Sequence, residues 1–282
     1  MLSSVVSLVQ DRRGRFSPLR AVTLTILVVP VLRLLVQWAI GDLGGRPVRE
    51  ITHGTGDWAV YFLLTSLALT PLRMVLDWQR LIPLRRMIGV AVACYAGVHL
   101  SLYVIDQKFD MLKVVSEIAL RFYLTIGFVT FLGLLALAIT STDRWVKRLG
   151  PKWKRLHKLA YPLAALALFH YFLQSKADVS AAVFVAGLYL WEMIWRLTSR
   201  ASRLQLWPLP LIAVAAAVAT AGVEAAWYGL ATKIDPMKVL SANLDLDYGP
   251  RPAVAILLCG LGLSIFAAVR RWVSHRTEAI SA

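Results

Sequence analysis

The chain contains five histidines, and four of them, His53, His99, His157 and His170, lie in or beside long apolar stretches. Ionisable side chains at membrane depth are costly and tend to be kept for function. His99 sits well inside the stretch 87–105, and His170 well inside the stretch 159–173. Two helices entering from the same side place these imidazoles at similar depth. Neutral imidazole is a strong axial ligand for haem iron. One His from each helix can therefore hold a b-type haem in an apolar interior. The alternative is that each is a buried polar group hydrogen-bonding between helices.

His157 precedes His170 by 13 residues, roughly 20 Å at about 1.5 Å rise per residue, and so belongs near the other membrane face. Thirteen steps of about 100° leave the two rings on different faces of an ideal helix. Either Pro162 kinks the helix between them, or His157 lies just before the helix and is free to turn. Counting 14 residues back from His99 gives Arg85, with Arg86 beside it. Arginine is a poor metal ligand, but it holds a haem propionate or a flavin phosphate bidentately. The expected metal ligands are His99, His170 and His157. Arg85 and His157 are expected to bind a cofactor at a second station.

Weaker candidates surround these. His53, in "ITHGTGDWAV", is expected just ahead of a helix that Asp57 caps. Glu192 is expected to reach water, and Glu224 has no evident partner. Arg33 is expected to snorkel or pair, and His275, in the tail, carries no signal.

The elements that position these residues follow from composition. The 282 residues are 58% hydrophobic and only 17% charged, with mean hydropathy +0.64. Soluble domains are nearer 45–50% apolar and about 25% charged. The apolar residues form eight blocks: 21–40, 58–76, 87–105, 122–140, 159–173, 179–195, 209–230 and 253–269. A membrane-crossing helix needs about 20 such residues, and hydrocarbon tolerates no unpaired backbone. The expected fold is an all-α membrane protein, a bundle of about eight transmembrane helices. The block 159–173 is short and is expected to begin earlier, near His157. Residues 11–20 lead into a full-length span with no small-residue cleavage site, the pattern of an uncleaved first helix. Cys94 and Cys259 both lie in apolar blocks, which excludes a disulfide scaffold or a Cys-rich metal site.

The net charge is +15, which in a soluble chain suggests nucleic acid. Here most basic residues, Arg12, Arg13 and Arg276 among them, fall in five segments on one side of the alternating spans. The acids favour the other side, where Lys176 is among the few basic residues. This bias makes the basic side cytoplasmic and puts both termini there, with no nucleic-acid role. The densest run, 143–158, is expected to touch anionic lipid and can attract an acidic reductase or a flavin phosphate. No Gly-rich dinucleotide motif follows a strand.

Several stretches together resemble a known family: "GDLGGRPVREITHGTGDWAVYFLLTSLALTPLR", "LRRMIGVAVACYAGVHLSLYV", "YLTIGFVTFLGLLALAITST" and "LGPKWKRLHKLAYPLAALALFHYF". They are similar to the haem-binding membrane subunits (MsrQ) of the periplasmic methionine sulfoxide reductase system, within the ferric-reductase-like transmembrane superfamily. The resemblance covers about residues 19–200. It implies an inner-membrane carrier of haem b, associated also with FMN. Such a carrier takes electrons from a cytosolic flavin reductase or the quinone pool. It passes them to a periplasmic molybdopterin methionine sulfoxide reductase that repairs oxidised proteins. His99, His157 and His170 fall on the family's haem-ligand positions. Arg85 falls where other superfamily members carry a fourth His, and His53 on a histidine shared within the family. The implied layout is a basic cytoplasmic N-terminus at 1–20, a six-span core at 21–200, and two extra C-terminal spans with a tail at 201–282. A membrane transporter using Arg33, Glu192 and Glu224 is the competing class, though no inverted repeat supports it. A zinc hydrolase would need a carboxylate base beside His99 and His170.

Overall fold

A computed structural model describes residues 9–10, 14–175, 178–198, 200–247 and 249–281, without the side chains of 200 and 274–281. Arg12, Arg13 and Lys176, and the side chains of His275 and Arg276, therefore lie outside the described residues. The described chain is all-α apart from one isolated bridge, Gln10 to Phe16. Its helices of more than one turn are α1 (Pro18–Ala39), α2 (Pro47–Val75), α3 (Leu84–Asp106), α4 (Met111–Leu120), α5 (Phe122–Ile139), α6 (Asp143–Leu149), α7 (Pro151–Leu156), α8 (Ala160–Gln174), α9 (Ser180–Leu197), α10 (Pro208–Ala231), α11 (Pro236–Ala242) and α12 (Pro252–Ser281).

Seven of the described helices are long and apolar enough to cross a membrane. Helix α8 has 15 residues, about 22 Å at 1.5 Å each, short of a roughly 30 Å hydrocarbon core. It continues back through a 3-10 turn at His157–Leu159 into α7, which lengthens the rod. The expected spans match these helices within a few residues, except that α12 runs on to Ser281, well past 269, and α2 begins early. Helix α2 starts at Pro47 rather than near Trp58. Its first turns carry Arg49, Glu50, His53 and Asp57, which a search for apolar blocks passes over. His53 is thus inside the helix, one turn after Arg49, whose Nε donates to its Nε2 at 3.5 Å. Asp57 lies in mid-helix and cannot cap the start. The amphipathic α4 was not expected. Asp110 caps it by accepting from the Lys113 backbone N–H at 3.0 Å, as N-cap side chains do.

The chain divides into two compact units: residues 1–66 with 83–170, and residues 67–82 with 171–282. In the first unit, α1 presents Val22, Ile26, Val29, Leu32 and Val36 outward, a lipid-facing surface in an apolar solvent. Arg33 is exposed on the same helix. Tyr95 of α3 donates to the Leu27 carbonyl at 2.7 Å, one turn ahead of Pro30.

In the second unit, α9, α10 and α12 approach closely at small residues, the usual device in membranes. A Cβ on Gly187 would come within 2.6 Å of Thr220 and Ile256, and one on Gly260 within 2.5 Å of Ala213. Two expectations are corrected here. Glu192 is buried and pairs with Arg196 at 3.4 Å instead of reaching water. Glu224 is buried but partnered, by Asn243 Nδ2 at 2.9 Å and Arg251 at 2.7 Å. Its partners stand 19 and 27 residues downstream, on and beyond α11, where no helical spacing would reveal them. Pro71 supplies a further polar joint. Lacking an N–H, it leaves the Leu67 carbonyl without its i+4 donor. Arg196 fills that place, donating to Leu67 O at 2.7 Å. Arg271 donates to the Met74 and Val75 carbonyls at the end of the same helix.

Candidate functional site

His99 on α3 and His170 on α8 come together in the first unit, with ring centroids 6.4 Å apart and planes at 87°. Each ring is held by a third element. His99 Nδ1 donates to the Thr52 carbonyl of α2 at 2.7 Å, and His170 Nδ1 donates to the Tyr123 carbonyl of α5 at 2.8 Å. In both cases the carbonyl precedes the histidine by 47 residues. Bonding one ring nitrogen to a backbone carbonyl fixes the tautomer and presents the other as a lone-pair donor. Nε2 of each ring is then the nitrogen left with a lone pair that could meet a metal.

Four residues after each carbonyl stands a glycine. A Cβ at Gly56 would lie 2.9 Å from His99 Nδ1, and one at Gly127 would lie 2.7 Å from His170 Cε1. Each imidazole thus occupies the volume of a missing side chain on the neighbouring helix. The same seat is built twice, from α2 and α3 and from α5 and α8.

The donor set fits a haem. Two ring radii plus two metal–imidazole bonds of about 2.0–2.1 Å span about the observed ring separation. Among the described residues no group of three or more His, Cys, Asp or Glu gathers to hold a bare ion. A metal at this pair would take its remaining ligands from a macrocycle.

His157 is placed apart from this pair and is built differently. It begins the 3-10 turn ahead of α8, so of the two sequence alternatives it lies before the helix. Its ring stacks on Trp153 at 3.9 Å, and its Nδ1 faces the Trp153 carbonyl four residues back at 3.2 Å. Ser141 Oγ lies 3.2 Å from its Nε2, and Trp153 Nε1 donates to the Thr140 carbonyl at 2.8 Å. Gly150, with φ +50°, makes the turn between α6 and α7 that carries Trp153 into place. Arg85, at the start of α3, is close enough to His157 to act on it electrostatically. Arg86 instead pairs with Asp143.

The comparisons with known proteins accord with this arrangement. The family described as ferric reductase like transmembrane component matches residues 55–168. A protein of Xanthomonas campestris pv. campestris (strain B100), named protein-methionine-sulfoxide reductase heme-binding subunit MsrQ, is 42% identical over 161 residues, covering 57% of this chain and 74% of that protein. The chain belongs to the MsrQ family. A Rhodospirillum rubrum protein of the same name is 39% identical over 181 residues, 64% of this chain and 85% of that relative. No solved structure matches. The ferric-reductase-like match, 55–168, takes in His99 and His157 and stops two residues short of His170.

Sequence reasoning named the three histidines and Arg85 but missed Thr52, Gly56, Tyr123, Gly127, Ser141 and Trp153. The one signal that could have found the seats is their repetition. The same spacing, carbonyl to glycine to histidine, occurs in both halves of the first unit.

Proposed function

We propose that the chain is an inner-membrane b-haem electron-transfer subunit of a protein-methionine-sulfoxide reductase system, with both termini cytoplasmic. The observation that carries this reading is the His99–His170 pair, two tautomer-fixed imidazoles at haem-ligand separation on helices of a ferric-reductase-like region. The relatives' printed names, heme-binding subunit, point the same way. His99 and His170 would hold the haem iron, and their backbone bonds leave Nε2 as the unprotonated nitrogen that would meet it. When bound, the haem supplies a one-electron store within the bilayer.

Arg85, His157 and Trp153 form the second station. There the guanidinium holds an anionic group, a propionate or an FMN phosphate, and the indole and imidazole offer stacking faces. The basic run 143–158 receives the donor, a cytosolic flavin reductase or the quinone pool. The acceptor is a periplasmic molybdopterin subunit that reduces methionine sulfoxide. The six spans of residues 21–200 form the redox core, and residues 201–282 add two spans.

The test is a visible spectrum of the purified chain, reduced and oxidised, followed by reconstitution with a flavin reductase and an acceptor. A low-spin b-type signal that a reductase reduces is expected. A colourless protein, or one that reduced protein methionine sulfoxide with NADH and no partner, would overturn the reading. Glu192 and Glu224 each have a cationic partner, so neither of these two carboxylates favours the transporter alternative.

A further inference from the structure

We infer that Gly56 and Gly127 are positioning residues, absent side chains that set the rotation of His99 and His170 and so tune how each ring meets a metal. The inference rests on the haem reading above and deepens it. Each imidazole is constrained on two sides by the neighbouring helix. A carbonyl, Thr52 O or Tyr123 O, draws Nδ1 inward at 2.7 or 2.8 Å. The glycine four residues later, one turn along, is where the ring would otherwise strike the helix. Real Cβ atoms essentially never come within 3.0 Å of another heavy atom, and both glycines would break that limit against the ring. The obstacle would not be the far end of a flexible chain. It is a ring whose Nδ1, on the same edge, is already tied to a carbonyl.

The two seats are not equal. At Gly56 an added Cβ meets Nδ1 at 2.9 Å and Cε1 at 3.0 Å, on the hydrogen-bonded side of His99. At Gly127 it meets Cε1 at 2.7 Å, Nδ1 at 2.9 Å and also Nε2 at 3.1 Å. A methyl at 127 therefore crowds the ligating nitrogen itself, whereas a methyl at 56 tilts the ring about its tether. Gly127→Ala should convert most of the low-spin signal to high-spin or lose it. Gly56→Ala should keep the haem but move its low-spin electron paramagnetic resonance signal.

Two controls separate this from general packing. Gly97, on α3 two residues before His99 and so on a different face, would make only ordinary contact at 3.8 Å with Phe131. Gly133, on α5, would meet Leu163 first, at 2.4 Å. The full-length chain in detergent is measured for haem content, optical spin state, paramagnetic resonance and thermal unfolding. Gly97→Ala is expected to match the parent in all four. Gly133→Ala is expected to unfold more readily with an unaltered haem signature. If Gly127→Ala fails to fold, the signature of Gly56→Ala decides. Parental spectra in both seat variants would overturn the proposal. So would a signature shift in Gly133→Ala as large as that in Gly127→Ala. A parent chain with no haem would instead overturn the proposed function, a separate result.

Discussion

His99 and His170 are fixed from afar, and His157 is fixed from nearby. The first two lend Nδ1 to carbonyls 47 residues upstream on other helices and keep Nε2 for a ligand. His157 turns Nδ1 to its own chain four residues back, rests on Trp153 and has Ser141 at its Nε2. A ring fixed by tertiary contacts is set when the helices pack, before any cofactor arrives. A ring fixed by its own turn can swing with that turn. The paired rings are therefore set from other helices, whereas His157 is set largely by its own turn, with Ser141 as its contact from beyond that turn.

The largest effect that sharpens this contrast is on haem content. His99→Ala and His170→Ala should each abolish the low-spin signal, at least a tenfold loss, or about 1.4 kcal/mol in binding. His157→Ala should leave that signal in place and lose only the second station. Equal losses in all three variants would erase the distinction. Next, Arg85→Gln should weaken binding of the second cofactor about tenfold, since a charge-assisted contact to an anion is worth roughly 1.5–3 kcal/mol. Flavin content and the haem spectrum, measured together, report this. Unchanged flavin binding would remove Arg85 from the site.

A smaller effect concerns the donor. Neutralising Lys152, Lys154 and Arg155, all exposed, should slow haem reduction several-fold at low salt. The difference should vanish near 1 M salt, where the Debye length is about 3 Å. Stopped-flow reduction by a flavin reductase measures it, and a salt-independent difference would argue against electrostatic docking. The smallest effect is that of Ser141→Ala. It removes one neutral contact to His157, worth about 1 kcal/mol, and should leave the His99–His170 signal untouched. A change in that signal would mean the two sites are coupled.

The spans were legible because composition alone marks them. Hydrocarbon admits helices and closed barrels, these long apolar blocks suit only the first, and each became a helix. The nearness of His99 to His170 was legible too, from their matched positions along two spans. What could not be read was the start of α2. Its polar first turns hide Thr52 and Gly56 from any hydropathy argument, and those two residues hold His99. The tethers were hidden for a deeper reason. A backbone carbonyl is carried by every residue, so the identities of Thr52 and Tyr123 say nothing of their use. Glu224 was misread in the same way, because its partners Asn243 and Arg251 lie across a turn that no spacing rule crosses.

Pro71 and Arg196 share one carbonyl, and that ties their histories together. With Pro71 present, losing Arg196 strands the Leu67 oxygen and leaves the buried Glu192 without its cation. With Pro71 replaced by Ala, residue 71 regains an N–H and Leu67 no longer needs the arginine. The two substitutions are thus order-dependent. Giving up the proline first spares the Leu67 carbonyl, but the buried Glu192 still needs a cation, or its own replacement, before Arg196 can go.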